Sequence, residues 1–497
     1  MHEWPCELVP GVLDALAWRV GDLAACCRVS RMWNMWATPR LYERLWLRDH
    51  LRVIRVFRTL ADAPHLARMV RILELRVYPF GLPAEQLEQL EEQIVRTLHA
   101  AVHLRELCWT RDGSLNDRLL DTMFAHLLEL RKLEITGNSR LWSPDLLAMR
   151  LPPSVRELHV VLPDRSLVQH LAAIVERAAP LEVLSVLCMV RAYGLMQNSA
   201  LITDALLETL AGSTRLRRLT LVGCKNVHGP GVVRLAQAGA LEGLALEGVG
   251  MPPEAFAQLL PFTHGLRALT LTYPGRAEDV APFFARVAEL VSGCDALSSL
   301  TLYARSGSPP ALGSDGEEAP AAAPMHPVRS APLPTAATTE VAVVPAAAAA
   351  TSPALSTSLV RRLIFGRTAR TLRRLWVLEM GVSLYQLEML ACSALAACLE
   401  DLVVHLFEAD VARLAVLLSK FSRLRSVHIM SHVRSAAEYA RDDLLYIARH
   451  CGEHLAQIGF RNRVWNVVVR GDERHLAPYD MAAGVYPEKL LAVRAVR

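Results

Sequence analysis

One pattern constrains this chain more than any other. It is a six-residue run, Leu-x-x-Leu-x-Leu with Val or Ile allowed, that returns at a nearly constant step. The run starts at Val70, Leu104, Leu130, Val155, Leu181, Leu216, Leu241, Leu266 and Leu297, then resumes at Leu372, Leu399, Leu424 and, more weakly, Leu455. Most steps are 25 to 27 residues, with longer ones after Val70, Leu181, Leu266 and Leu424. Chance pairs of leucines would not hold a step. A repeat of this period predicts a solenoid, because one unit cannot bury its apolar face alone and stacked neighbours can.

Within each unit the short apolar run predicts a strand whose alternate residues enter the core. The remainder, as in Asp204–Leu210, has helical spacing and should cover the convex side. The clearest unit is Leu216-Arg-Arg-Leu219-Thr-Leu221-Val-Gly-Cys224, followed by Gly231-Val232 and Leu235-Ala236. It resembles the cysteine-containing leucine-rich repeat, with Cys224 turning inward where Asn138 stands in an earlier unit. Val249, Pro274 and Met380 hold that place elsewhere, so the array is degenerate.

Residues between the core leucines of each strand should face the concave surface. They include Glu106, Cys108, Lys132, Glu134, Thr136 and His159 early in the chain, and Glu247, Thr270, Thr301 and Tyr303 later. The last units supply Arg374, Trp376, His405, His428, Met430 and Arg461. Trp and Arg are common anchors of interfaces. Arg374, Trp376, His405, His428 and Arg461 are therefore the candidate substrate-binding residues, with packing against a neighbouring segment the alternative for Trp376. Trp109 falls on a core position. An arginine follows the first residue of many units (Arg71, Arg105, Arg131, Arg156, Arg217, Arg267, Arg373, Arg425). It forms either a ridge for acidic partners or a solvated edge paired with nearby carboxylates.

Composition excludes several classes. Lys and Arg number 54 against 50 Asp and Glu, a net +4 too mild to argue for nucleic acid. The ten cysteines lack even spacing and Cys-x-x-Cys pairs, which predicts reduced thiols in the cytosol or nucleus. His450-Cys451-x-x-His454 is the nearest approach to a metal motif, without a second ligand pair. No cofactor is expected. Glu3, Glu7 and Asp14 argue against a secretory signal. The uncharged run Val341–Val360 is interrupted by Pro345 and Pro353 and is too weakly apolar for a membrane span. It belongs to a Pro-, Ala-, Ser- and Thr-rich segment, 306–358, that reads as a disordered insertion between two repeats. Ser308-Pro309 and Ser314-Asp-Gly-Glu317 within it are candidate phosphate acceptors, a neutral spacer being the plainer reading.

Before the repeats lies a helical hook. Pro10 suits a first helical turn, and Val12, Leu13 and Leu16 share one face. Gly21 breaks the helix and Asp22 can cap the next. Leu23, Cys26 and Cys27 follow at helical spacing, and Thr38-Pro39 should end the run. So small a unit should leave apolar side chains for a partner, unless it merely caps the solenoid.

Pro5, Glu7, Leu8, Val12, Leu13, Leu16, Asp22, Leu23, Val29, Arg31 and Trp33 carry a further signal. This stretch resembles the F-box, whose usual form is Leu-Pro-x-Glu-Leu-Leu, an apolar pair, Asp-Leu, then Val-x-x-x-Trp. Trp4 stands where that family usually has leucine. The continuation through Leu75 looks like fungal members. The resemblance implies docking on a Skp-type adaptor joined to a cullin-RING complex. Pro5, Leu8, Leu13, Leu16, Leu23, Val29 and Trp33 are carried over as adaptor-facing or hook-core positions.

No phosphate-binding loop, serine-hydrolase elbow or His-Glu-x-x-His motif is present. The expectation is an α/β chain: a three-helix F-box (1–47), a helical connector (48–69), repeats (70–305), the insertion (306–358), then repeats and cap (359–497). It would serve as a non-catalytic substrate receptor of an SCF-type ubiquitin ligase, binding an unknown protein and neither nucleic acid nor membrane. A scaffold outside any ligase and a nucleic-acid-binding arginine ridge are the competing readings.

Overall fold

The computed structural model describes residues 5, 7–16, 19–178, 181–190, 195–196, 198–213, 216–239, 241–274, 276–303, 354–431, 438–461 and 463–479. Trp4 and the candidate phosphate acceptors Ser308 and Ser314 lie outside them. Among the described residues, sixteen strands form one open sheet in the order of the chain. They are β1 (Arg44–Leu47), β2 (Ile72–Leu75), β3 (Glu106–Trp109), β4 (Lys132–Thr136), β5 (Glu157–Val161) and β6 (Val183–Leu187). A small separate hairpin, β7 (Met189–Val190) and β8 (Leu195–Met196), intervenes. The sheet continues with β9 (Arg218–Val222), β10 (Gly243–Glu247), β11 (Ala268–Thr272), β12 (Ser299–Tyr303), β13 (Arg374–Val382), β14 (Asp401–Leu406), β15 (Ser426–Ser431) and β16 (Gln457–Phe460). Neighbours from β1 to β16 are parallel; β17 (Arg463–Arg470) and β18 (Glu473–Pro478) turn back antiparallel. This is a leucine-rich-repeat type of solenoid, with strands on one face and helices on the other.

The register explains the motif. Leu73, Leu107, Leu133, Leu158 and Leu184 stand side by side on successive strands. The row continues through Leu219, Leu244, Leu269, Leu300, Leu375 and Leu402 to Val427 and Ile458. All are buried, and each such side chain contributes roughly 1.5–3 kcal/mol on leaving water. The recurring arginine sits where the chain enters the strand. Its carbonyl accepts two N–H groups from the next unit, as at Arg105, from Arg131 (2.8 Å) and Lys132 (3.0 Å). The residue type is thus free to vary while the backbone ladder is kept.

The longer steps have material causes. The helix after β2 extends over Ala84–Ala100, whereas the one after β4 covers only Pro144–Arg150. The β7–β8 hairpin lengthens the step after Leu181, and a short 3-10 turn plus the helix Val280–Gly293 lengthens that after Leu266. The weak repeat at Leu455 does form β16. The hairpin that follows, turning at Gly471 (φ +63°), was not expected.

The hook has helices α1 (Leu8–Ala15), α2 (Val20–Cys26) and α3 (Arg31–Glu43). Three local expectations are corrected. Gly21 lies inside α2 rather than at a break, and Asp22 in its first turn rather than at its cap, because the helix starts at Val20. Thr38-Pro39 does not end a helix: α3 runs through Pro39 to Glu43. The break falls earlier, where the Ser30 hydroxyl caps α3 by accepting from the Trp33 N–H (3.3 Å). The turn around Pro39 is pinned by Arg40, whose guanidinium donates to the Trp36 carbonyl (3.1 Å) and to Asp14 on α1 (2.7 Å). The sheet also begins sooner than the repeat motif, since Leu45 and Leu47 alternate into the core of β1.

Candidate functional site

Two surfaces concentrate unusual side chains: the hook and the concave face of the sheet. In the hook, Val9, Leu13, Leu23 and Ala37 make the core, with Leu16, Cys26, Cys27, Met32, Trp33 and Leu41 packed against it. Of the positions carried over for an adaptor, Leu13 and Leu23 are therefore interior, while Leu16 and Trp33 are half-buried. Pro5, Leu8 and Val29 are exposed. Val20, Met35 and Trp36 are exposed as well. Val29 and Met35 keep 64% and 62% of their surface in water, too much for residues that serve only the hook's own core. Met35 and Trp36 escaped the sequence reading because the motif ends at Trp33. Their signal is one further turn of the same helix.

The concave face changes character along the solenoid. In the first units it is ionic. The Arg76 guanidinium donates to both carboxylate oxygens of Glu134 (2.9 and 3.3 Å) and lies 3.8 Å from Glu74, which also accepts from Arg44 (2.7 Å). Burial alone would raise the Glu134 carboxyl, but Arg76, with His159 and Lys132 behind it, holds it below the usual carboxylate value. Burial, with Glu134 beside it, pushes the Cys108 thiol well up.

In the last units the same face is apolar. Tyr303, Trp376, Leu378 and Val403 form a cluster separate from the main core, with Met430 against it. The Tyr303 hydroxyl donates to Glu247. Trp376 is only 6% exposed, and its Nε1 is buried without a hydrogen-bond partner. Arg374 lies over the Trp376 ring (5.0 Å to the centroid) and 3.6 Å from Asp401. His405 and His428 are buried too. The His428 Nε2–H donates to the Arg461 carbonyl (2.7 Å), and Arg461 itself is exposed, in the left-handed region (φ +50°), 3.3 Å from Glu438. Arg374, Trp376, His405 and His428 thus share one face with Arg461 at its rim. In this state Trp376 and the two histidines are packed rather than presented. Gly459 makes the packing possible: a Cβ there would fall 2.1 Å from the His428 ring.

Trp109 is fully buried and donates to the Ser114 hydroxyl (2.9 Å). Burial pushes the Cys451 thiol up to about 12. Among the described residues, no group of three or more His, Cys, Asp or Glu could hold a metal ion, and no helix is long and apolar enough to cross a membrane. On the arginine ridge, Arg105, Arg217 and Arg373 pair with Glu129, Glu242 and Glu400.

No family model matches the chain, and no curated protein matches it in sequence. Among solved structures, it is similar to one from the yeast Rad7–Elc1 complex, at 12% identity and a TM-score of 0.39, over 79% of this chain and 87% of the other. It is also similar to one from the TLR13–ssRNA13 complex, at 12% identity and a TM-score of 0.34, over 81% of this chain and 58% of that one. The solenoid of leucine-rich units is read from the order and register of the strands themselves.

Proposed function

We propose that the chain is the non-catalytic substrate-recognition subunit of an SCF-type E3 ubiquitin ligase. The hook, read as an F-box, docks on a Skp-type adaptor and through it on a cullin-RING complex. The solenoid holds a protein substrate, so that proximity serves a reaction whose chemistry belongs to other subunits. The observation that carries this reading is the hook's apolar exposure. Leu8, Val20, Met35 and Trp36 are exposed on the helices that bear the F-box pattern, and Val29 on the turn between α2 and α3. Apolar groups gathered on a small unit mark an interaction surface. The free thiols are in keeping with a cytosolic or nuclear setting.

The test is co-expression of the full chain with a fungal Skp-type adaptor, followed by size-exclusion chromatography. Leu13 and Leu23 are unsuitable targets because charges there would unfold the hook. A Val29→Asp/Met35→Asp variant changes the surface alone. Co-elution of the parent and separation of the variant is expected. A well-folded parent that runs apart from the adaptor would leave the chain a leucine-rich interaction scaffold outside any ligase.

A further inference from the structure

A cleft of about 710 Å³ opens where the hook meets the first repeat. Its floor is apolar, from Leu13, Leu23, Pro39 and Met69, and its rim is predominantly basic. The carboxylates of the lining are Asp14 and Glu43. Asp14 is engaged by Arg40 (2.7 Å), and the rim's His103 by Glu129 (2.8 Å). Arg68 and Arg71 complete the basic lining, and Arg71 stands near enough to Glu129 to help His103 and Arg105 hold that carboxyl below its usual value. Arg71 donates not to a carboxylate but to the carbonyls of Arg68 (3.1 Å) and His103 (3.4 Å), which fixes its guanidinium beside the Arg68 backbone. Arg68 is exposed and forms no ion pair among the described residues. His65, also exposed, adds a third basic group on the same side.

We propose that this cleft binds a short acidic peptide segment of a protein partner, seating an apolar side chain on the floor and its carboxylates on Arg68 and Arg71. Charge complementarity selects the occupant. A purely apolar ligand would leave both guanidinium groups unused, and a simple polyanion would leave the floor wet. The volume lies within the roughly 300–1,000 Å³ of sites that take a compact ligand. The inference does not rest on the ligase reading, since none of the residues lining the cleft belongs to the hook's exposed apolar set.

The test is fluorescence anisotropy on the full chain with a labelled acetyl-Asp-Glu-Leu-Leu-Asp-Glu-amide. The controls are its Asn/Gln counterpart and hexaglutamate. Saturable binding of the first is expected, weaker by about tenfold or more for both controls and in Arg68→Glu. Met69→Asp should weaken it comparably. Because Arg68 is exposed, its variant should keep the parent's circular dichroism and melting, which are checked alongside. Equal affinity for either control, absence of saturation, or indifference to both substitutions would overturn the proposal.

Discussion

In the hook, four fully buried side chains hold three helices together, and the exposed apolar groups around them are as large as those inside. In the solenoid, one core runs from Leu45 to Leu476, and every strand of the main sheet between β1 and β18 is flanked on both sides. The solenoid is complete in itself, since each unit lends its neighbour what it lacks. The hook is not, and its stability should depend on what covers it. Apolar side chains are therefore placed differently in the two regions: those of the solenoid's ladder are covered by the next unit, whereas Leu8, Val20, Val29, Met35 and Trp36 of the hook stay in water.

Substitutions can break this contrast, beginning with the largest effect. Leu375→Ala empties a fully buried site in mid-ladder and should cost about 2–5 kcal/mol of solenoid stability, read by urea denaturation of the full chain. Leu23→Ala should cost about 2–3 kcal/mol, but locally. Hydrogen exchange should accelerate across α1 to α3 while the solenoid transition stays in place; a shifted solenoid transition would show that the two cores act as one. Gly459→Ala forces the His428 ring from its place and should cost about 1–3 kcal/mol. His428→Ala in the same chain should relieve it, as a double-mutant cycle would report.

Arg76→Ala leaves the half-buried Glu134 carboxylate without its main partner, at about 1–3 kcal/mol near neutral pH. Because the folded carboxyl is held below its ordinary value, its contribution is present above the unfolded value and fades as pH falls through the folded one. Arg76→Ala should thus lose least at acid pH. Smallest in stability is Val29→Asp/Met35→Asp, expected within about 0.5 kcal/mol of the parent, although it should abolish adaptor binding.

How much of this was legible follows from periodicity. Leu219, Leu244 and Leu269 recur at a fixed step, so their strands and core row could be read directly. β1 could not, because Arg44-Leu-Trp-Leu lacks the leading leucine of the motif. The continuation of α3 through Pro39 is accompanied by Arg40 reaching Asp14, a contact 26 residues apart that no local pattern reports. At the candidate sites, alternation along the strand placed Trp376, His405 and His428 on the concave face. It carried no information on their burial: Trp376 is covered where Tyr303, Leu378 and Val403 gather across three strands, and the His428 ring fills the space that Gly459 leaves. In the hook, the motif marked Leu13 and Leu23 together with Val29, yet only the packing separates interior from surface.

The most direct test of the division between hook and solenoid is hydrogen exchange on the full chain with and without a fungal Skp-type adaptor. Added protection confined to residues 8–43, with the repeats from β2 to β12 unchanged, is the predicted result. Unchanged exchange in the hook, or protection that appears on the repeats instead, would contradict the account.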